Sequence, residues 1–586
     1  MALTLLIDPP DFHVPRSNPV QRVNDVFARA AITSVFSLRW PKFRALLDNA
    51  ARQQEDWLLN RVGLCRDTKF GRDHGFGEIR SVADFRKRVP ISRYDYFAPY
   101  IQAVASGDTS ALIPASEQLV QFTITTGSGG APKLNPVSNT WMKQYRQAWD
   151  LWGLKLFADH RRNLGTQMLQ LAGKWDMGRT PGGHQISMVS ALLARAQNPM
   201  MKPYYATPSP VNDIPDPVAR YYTALRLSIT QRVGWIILMN PGTLIRMAEI
   251  GNEYRELLLK DLRDGTLSER FDVPADVRQS LAGRISKKRP GTVVELEEVI
   301  RRTGTLYPKD YWPPLVIGCW LGGTAGYQKT ALPKYFGDVP MRDMGLVSSE
   351  GRHTIPIEDH KPEGVPSIVS GYYEFVPVEE IDAPQPTALG GHELEVDRDY
   401  YLLMTTAGGF SRFNIGDIVR CRGFVGQAPL LDFIQKGDRV GDLEGEKLTE
   451  HQVLECAHAA SQAVGARLTE VTAVPFRDEM GRPSYVILAE SCDFCDDSQA
   501  GSFIDELDRR LMGINFLVNY RRREGVLDAP RLTLIEPGSW KRYMQQESDR
   551  RGTGDYQFKH PGLVHDADWT KQFQAGRQFE SKVLAR

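Results

Sequence analysis

The chain has 586 residues, too many for one core, so several domains, or a large domain with a smaller one appended, are expected. Hydrophobic residues make up 42% and charged residues 24%, an ordinary globular balance that excludes a mostly disordered chain. With 72 basic against 71 acidic residues the net charge is +1, which gives no electrostatic case for nucleic acid or an anionic membrane as main partner.

The opening Met1-Ala-Leu-Thr-Leu-Leu-Ile-Asp-Pro-Pro is apolar too briefly for a secretory core. No apolar run is long enough to span a bilayer, so a soluble, cytoplasmic protein is expected. Residues 24–112 read as mainly helical. A β-prone run, Leu119-Val-Gln-Phe-Thr-Ile124, leads into a glycine-rich turn, and residues 138–157 read as a helix capped by Ser138 or Asn139. Strand, glycine-rich turn and helix in succession suggest an α/β nucleotide-binding unit. Residues 217–262 look helical, with the apolar stretch 233–239 a buried strand or helix turn. Residues 310–440 change to short β-prone runs divided by glycine and proline. From residue 448 onward helix-like and strand-like segments alternate (450–464, 468–475, 484–490, 501–513, 531–536), as suits a small α+β domain. Six cysteines are too scattered for a disulfide framework. The pair Cys492-Asp-Phe-Cys495 lacks two further ligands at zinc spacing and reads as ordinary reduced thiols.

Four short stretches carry chemistry. The first is Thr125-Thr126-Gly127-Ser128-Gly129-Gly130-Ala131-Pro132-Lys133. Its glycines let several N–H groups point into one concavity, a nest for phosphate oxygens, and the lysine adds a mobile charge. It is not the P-loop, because no Lys-Ser/Thr pair closes it, and taken alone it reads equally well as a surface loop. The second, Met344-Gly-Leu-Val-Ser348-Ser349-Glu350-Gly351, ends an apolar run in two hydroxyls and a carboxylate, and Glu350 could hold Mg²⁺ against phosphate oxygens. A strand followed by a solvated turn is its plainer reading. The third, Gly416-Asp417, could bind vicinal ribose hydroxyls through both carboxylate oxygens, or be a simple turn. The fourth, Gln557-Phe558-Lys559, sets on a glycine-flanked loop a lysine that could neutralise a transferring phosphate, although it is one lysine among many.

In this order the four resemble the acyl-adenylate-forming superfamily and, more narrowly, bacterial members of the auxin-responsive acyl acid amido synthetases, the Gretchen Hagen family. Further segments match that branch: Trp320-Leu-Gly-Gly-Thr-Ala-Gly-Tyr327, Val339-Pro-Met-Arg-Asp-Met-Gly345, Asp438-Arg-Val-Gly-Asp-Leu-Glu-Gly-Glu-Lys-Leu-Thr-Glu450 and Asn519-Tyr-Arg-Arg-Arg523. The resemblance runs from about Trp40 to Pro561. It implies an α/β acyl-adenylate-forming fold, with a large N-terminal domain (residues 1–435) and a small C-terminal α+β lid (residues 436–586), the nucleotide lying in the cleft between them.

Carried over residue by residue, the resemblance implies that Thr125, Thr126, Gly127, Ser128, Gly129, Gly130 and Lys133 wrap the β- and γ-phosphates of ATP. Gly322, Gly323 and Thr324, with Met344, Gly345, Leu346, Val347 and Ser348, would line the nucleotide slot. Ser349 would approach the α-phosphate or the acyl carboxylate, Glu350 would bind Mg²⁺ and Asp417 would hold the ribose. Lys436 would open the hinge and count among the nucleotide-binding groups. Lys559 would come from the lid to the α-phosphate, which makes Lys559, Lys133 and Ser349 the catalytic candidates. Two departures stand out: Gly129 occupies a place where relatives carry a hydroxyl, and Lys436 one where arginine is common.

The activity implied is ATP-dependent formation of an acyl-adenylate with release of pyrophosphate, then acyl transfer to an amine, an amino acid or a related one. Bringing a carboxylate to the α-phosphorus joins two anions, so the work is charge neutralisation and positioning. Transfer to coenzyme A or a carrier-protein thiol is the alternative enzyme reading. A silent nucleotide-binding relative is the non-enzymatic one, opposed by the retained Lys133, Glu350, Asp417 and Lys559. The acid pocket is expected within residues 169–237, where Trp175, Met177, Tyr204, Tyr205 and Trp235 offer surface for a hydrophobic or aromatic acid, though most such residues are core. His184 and His353 could serve the incoming amine or simply be packed histidines. The expected partners are thus a small acid and an amine, with no nucleic acid and no membrane, and a monomer is compatible.

Overall fold

The computed structural model describes residues 19–583 except 126–132, 197–198, 313–314, 324–325, 327–328, 438, 442, 445, 479–481, 524 and 552–559. The chain divides into two units. The larger comprises Met1–Gly322, Gln328–Ile415 and Arg420–Asp432; the smaller comprises Gly323–Tyr327, Gly416–Val419 and Phe433–Arg586.

The larger unit opens on helices, among them Pro19–Asp48, Ala50–Cys65 and Tyr94–Ala105. The strands up to residue 436 come in chain order: β1 (Leu119–Thr125), β2 (Lys133–Ser138), β3 (Gln167–Gln170), β4 (Ile186–Ser187), β5 (Val233–Ile237), β6 (Val316–Cys319), β7 (Met341–Asp343), β8 (Thr354–Pro356), β9 (Gly364–Pro366), β10 (Gly371–Pro377), β11 (Asp399–Thr406), β12 (Phe413–Val425) and β13 (Ala428–Lys436), of which Gly416–Val419 and Phe433–Lys436 count with the smaller unit. Strands β3, β5, β6 and β7 form a parallel sheet in that order. Every residue of β5 and β6 is buried, as expected of central strands covered on both faces, and both read as unbroken apolar runs. The stretch 233–239 is thereby decided as a strand. A large core of helix and sheet side chains, including Tyr222, Leu225, Ile236, Met247 and Ile317, covers one face of this sheet. A second sheet runs β10-β11-β12-β13-β9-β8.

One expectation needs correcting. The glycine-rich turn does not lead straight into a helix, because β2 intervenes, pairing antiparallel with β1 from Leu119↔Ser138 to Thr125↔Lys133. The helix Asn139–Asp159 begins only after it, and the Ser138 hydroxyl accepts the Trp141 N–H as its cap. The reason is local: Leu134 and Val137 are apolar and Pro136 opposes helix, so the chain extends before it turns.

The smaller unit carries the sheet β16 (Thr472–Arg477), β17 (Pro483–Glu490), β18 (Arg531–Ile535) and β19 (Ala575–Glu580), in that order, after the short pair β14 (Val440–Gly441) and β15 (Leu448–Thr449). Helices Glu450–Val464 and Asp497–Ile514 bury Leu454, Ala457, Phe503, Ile504 and Leu507 in the core this sheet shares. The first is started by Thr449 and Gln452 in a capping box and stopped by Gly465 in the left-handed region. This is the α+β domain read from the alternating segments. Among the described residues, no helix is long and apolar enough to cross a membrane.

Candidate active site

Two of the segments expected to bind the nucleotide leave the carboxyl ends of adjacent parallel strands, the edge at which open α/β sheets bind ligands. Trp320, Leu321 and Gly322 come after β6; Met344, Gly345, Leu346 and Val347 come after β7. They are knitted together by a residue the motif reading passed over. Asp343, the last residue of β7, is 4% exposed, and its carboxylate oxygens accept the N–H groups of Leu321 and Gly345. Burial pushes its carboxyl up to about 7, against the N–H groups of Leu321, Gly345 and Gly322, which favour the ionised form. The Trp320 indole donates to the Gly345 carbonyl at 3.0 Å, and Met344 N–H donates to the Cys319 carbonyl. Gly345 has φ +79°, and a Cβ there would lie 2.4 Å from the Thr354 carbonyl oxygen, so only glycine fits.

Strand β7 ends seven residues before Glu350, so the second motif is not a strand end but a hairpin tip. Val347 bridges Arg352, and Ser348 N–H donates to the Gly351 carbonyl, closing a turn over Ser348-Ser349-Glu350-Gly351. The Ser348 hydroxyl accepts the Glu350 N–H and pairs with His353 Nε2 at 2.8 Å. His353 is 1% exposed and committed to holding Ser348, which favours the packed reading over a role toward an amine. Ser349 and Glu350 are buried as well.

The helix Asn139–Asp159 holds this turn in place. Its buried face recurs at Trp141, Tyr145, Ala148, Trp152 and Leu156, a helical period. The Trp141 indole donates to the Glu350 carbonyl at 2.8 Å and the Trp152 indole to the Asp343 carbonyl at 2.8 Å. Between these anchors, the wholly buried Arg352 guanidinium stacks over the Trp149 ring at 4.2 Å and lies 5.3 Å from that of Trp152. Burial lowers its pKa to about 10. Because the same helix follows β2, it links the carboxylate turn to the β1–β2 pair.

At that hairpin, Lys133 stands at the start of β2 with its ammonium 5.2 Å from the centre of the Tyr94 ring. The Tyr94 hydroxyl accepts the Leu134 N–H at 2.9 Å and donates to the Leu134 carbonyl at 3.0 Å, and burial pushes its pKa up to about 12. Tyr94→Phe should therefore loosen the base of the loop, costing about 1–2 kcal/mol of stability and raising the KM for ATP several-fold. Thermal unfolding and initial rates check this; unchanged values for both would show that the clamp is idle. Thr126, Gly127, Ser128, Gly129, Gly130 and Thr324 lie outside the described residues, as does the Thr125 side chain.

Within the smaller unit, Asp417 follows Gly416, whose φ is +82°, and its carboxylate is ion-paired with Lys436. The Gly437 N–H donates to the Gly416 carbonyl at 2.7 Å, holding these two sequence-distant stretches together. Lys559 also lies outside the described residues. The next residue, His560, is buried, meets the Thr472 hydroxyl at 2.8 Å, and has its pKa pushed down to about 3 by burial. Glu450 accepts both Gly562 N–H and Arg439, tying the chain at Gly562 to the chain at Arg439. Asp343 and Glu450 were both legible as lone acids inside the quoted family segments; their reach to backbone N–H groups was not.

Of the acid-pocket candidates, Trp235 is core: it is 2% exposed, packs edge-on to Phe157 and donates to the Asn163 carbonyl. Trp175, Met177, Tyr204 and Tyr205 are half-buried, with the Arg195 guanidinium 4.1 Å from the Trp175 ring centre. His184 is half-buried beside Phe122 of β1. Cys492 and Cys495 are exposed and free, and among the described residues no cluster of three or more His, Cys, Asp or Glu side chains could hold a metal.

Three family models match in succession: the GH3 family N-terminal domain over residues 39–341, its central domain over 364–436 and its C-terminal domain over 451–568. The chain belongs to the GH3 family. Its GH3 relatives include the indole-3-acetic acid-amido synthetase GH3.3 of Arabidopsis thaliana, 25% identical over 432 residues, covering 69% of this chain and 70% of that protein. The jasmonoyl–L-amino acid synthetase GH3.5 of Oryza sativa subsp. japonica is 24% identical over 567 residues, covering 90% and 94%. Among solved structures, the GH3.15 acyl acid amido synthetase superposes with a TM-score of 0.81 at 18% identity, covering 93% of this chain and 97% of that one. The GH3 fold is therefore the large N-terminal domain with a smaller C-terminal domain.

Proposed function

We propose that this GH3 chain is an ATP-dependent acid–amine ligase that activates a small carboxylic acid as its acyl-adenylate and passes the acyl group to an amino acid or a related amine. The observation that carries this reading is the full succession of GH3 domains over residues 39–568. It is supported by relatives named for joining indole-3-acetic acid, jasmonate and 4-substituted benzoates to amine partners.

In the first step a carboxylate oxygen of the acid attacks the α-phosphorus of ATP, the bond to the bridging oxygen breaks, and pyrophosphate leaves. In the second, the amine attacks the acyl carbon, the bond to AMP breaks, and the amine gives up a proton. No nucleophilic side chain is needed, because AMP is already a good leaving group. The enzyme's contribution is charge and position. Lys133 and the loop 125–130 would hold the β- and γ-phosphates; Gly322, Gly323, Thr324 and residues 344–348 would take the base; Ser349 would meet the α-phosphate or the acid. Asp417, with Lys436 beside it, would hold the ribose, and Lys559 would neutralise charge at the α-phosphate. We assign residues 1–435 to the adenylation domain and residues 436–586 to the lid.

Glu350 fits a magnesium role. It is a buried carboxylate fixed by its own backbone on a rigid turn, and one carboxylate is what this ion takes when nucleotide phosphates supply its other ligands. Bound there, Mg²⁺ would supply positive charge to the phosphates.

The test is pyrophosphate exchange into ATP across a panel of small apolar and aromatic acids, then AMP release with amino acids, coenzyme A or carrier protein offered separately. Acid-dependent exchange, with AMP turnover on adding an amino acid, is the expected result. Turnover confined to coenzyme A or a carrier thiol would shift the acceptor, and absence of exchange with every acid would sink the reading.

A further inference from the structure

Two helical stripes of the larger unit line a cleft that the adenylation reading leaves unused. On the helix Pro19–Asp48, Arg39, Lys42, Phe43 and Leu46 recur at intervals of three and four residues, so they share one face. On the helix Asn139–Asp159, Met142, Lys143, Arg146, Gln147, Asp150 and Leu151 do the same. With Val369, from the stretch between β9 and β10, these stripes line a cleft of about 730 Å³, a size that encloses a small molecule. All of this lining belongs to the larger unit. By helical geometry the second stripe lies opposite the face that carries Trp141, Tyr145, Ala148 and Trp152, the face that grips Glu350 and Asp343. The cleft is therefore a different place from the candidate active site.

Its apolar lining is continuous with the core, and its charges are mostly of one sign. Phe43 and Leu151 are buried members of one hydrophobic core, on which Leu46 and Val369 pack, and Met142 is half-buried. Arg39, Lys42, Lys143 and Arg146 are exposed, so their aliphatic stems can extend the apolar wall while their charges stay in water. Four basic side chains thus meet one acid, Asp150. Arg39 bridges that acid at 3.6 Å. Burial raises the Asp150 carboxyl, while Arg39 and Arg146 act to lower it. Lys42, Lys143 and Arg146 form no salt bridge among the described residues.

We propose that this cleft is a second ligand site that takes a fatty-acid-like anion, its apolar chain against Leu46, Met142 and Val369 and its carboxylate held by Lys143 and Arg146. The two cations stand three residues apart on one helix, as surface neighbours that can share one head group. Arg39 neutralises Asp150, which keeps the single acid from repelling that head group. The charge surplus disfavours a cationic amphiphile, and a wholly polar anion would leave the apolar lining uncovered. Binding here makes and breaks no bond, so the inference stands apart from the acid–amine ligase reading.

The experiment titrates the full chain with decanesulfonate by calorimetry, below the micelle-forming concentration and without nucleotide. This probe has the form of a fatty carboxylate but cannot become an acyl-adenylate. Expected is one saturable site, weakened at least about tenfold when Lys143→Glu and Arg146→Glu are combined. Both side chains are exposed, so the variant should fold, and Arg146→Lys, which keeps the charge, should lose far less. Hexanesulfonate should bind at least about tenfold more weakly, since each buried methylene is worth about fourfold in affinity. Saturating ATP should leave the decanesulfonate affinity within about twofold, as two separate, uncoupled sites require. Displacement by ATP would put the probe in the active site and overturn the proposal. So would the absence of saturable binding, equal binding of decyltrimethylammonium, or an affinity untouched by the double reversal. Capture by anionic vesicles without binding of the monomeric probe would make the cleft a membrane contact instead, and the proposal would fall. Every one of these readings is made without turnover, so a chain that makes no amide could still bind the probe, and an active ligase could still fail to.

Discussion

Lys559→Ala is expected to lose most acid-dependent pyrophosphate exchange, by about a hundredfold to a thousandfold, the usual cost of removing a preorganised group that meets developing charge. ATP binding should weaken far less, because the lysine acts in the transition state more than in the ground state. Supplying chemically made acyl-adenylate should restore amide formation, since the missing charge matters before the anhydride exists. Lys133→Ala is the control and should weaken binding of ATP itself. The anchors just beyond Lys559 sharpen this test. His560 against Thr472 and Gly562 against Glu450 hold the chain independently of the lysine side chain, so the alanine variant should keep its fold. An unaltered exchange rate would leave Lys559 an ordinary lysine.

Asp417→Ala should raise the KM for ATP strongly, by the equivalent of about 2–4 kcal/mol, with an unchanged far-UV spectrum. The ion pair with Lys436 adds a second variant. Asp417→Asn keeps the shape and can still accept one hydrogen bond, so its defect should be milder than that of alanine. If Asp417 served only to anchor Lys436, both variants would lower thermal stability and leave ATP dependence nearly normal. That outcome would remove Asp417 from the site.

Much of the fold was legible in local pattern. The run that became β6 read as β-prone, the run that became β5 left strand and helix turn open until the sheet decided it, and the alternation after residue 448 announced the α+β domain. The cap of the helix Asn139–Asp159 was narrowed to Ser138 or Asn139, and the structure gives Ser138. The glycine-rich segment misled because its composition signals a turn but leaves the next element open, strand or helix. Lys133 to Ser138 extends because it pairs with β1, and pairing is not a property of six residues.

The candidate site divides along the same line. Order and spacing of the hydroxyl–glycine–lysine loop, Ser-Ser-Glu, Gly-Asp and the distal lysine were enough to point to the family. The three GH3 domains bear that out. What no spacing could reveal is how the backbone behind those side chains is held. Trp141 reaches Glu350 across 209 residues and Trp152 reaches Asp343 across 191. As a sequence, both tryptophans are merely apolar positions on a helix, and Asp343 is one acid among 71 acidic residues.

The sequence by itself thus determined the kinds of elements and the chemical groups on offer, because periodicity, capping and side-chain chemistry are local, while the large domain with a smaller C-terminal one came from its resemblance to the family. Only the tertiary structure decided that β2 pairs with β1 and that Ser348–Gly351 is a braced turn. It alone paired Asp417 with Lys436, and set Asp343 to orient two peptides from different strands. Those facts depend on buried donors and acceptors finding one another across the chain, and burial is what makes each pairing obligatory.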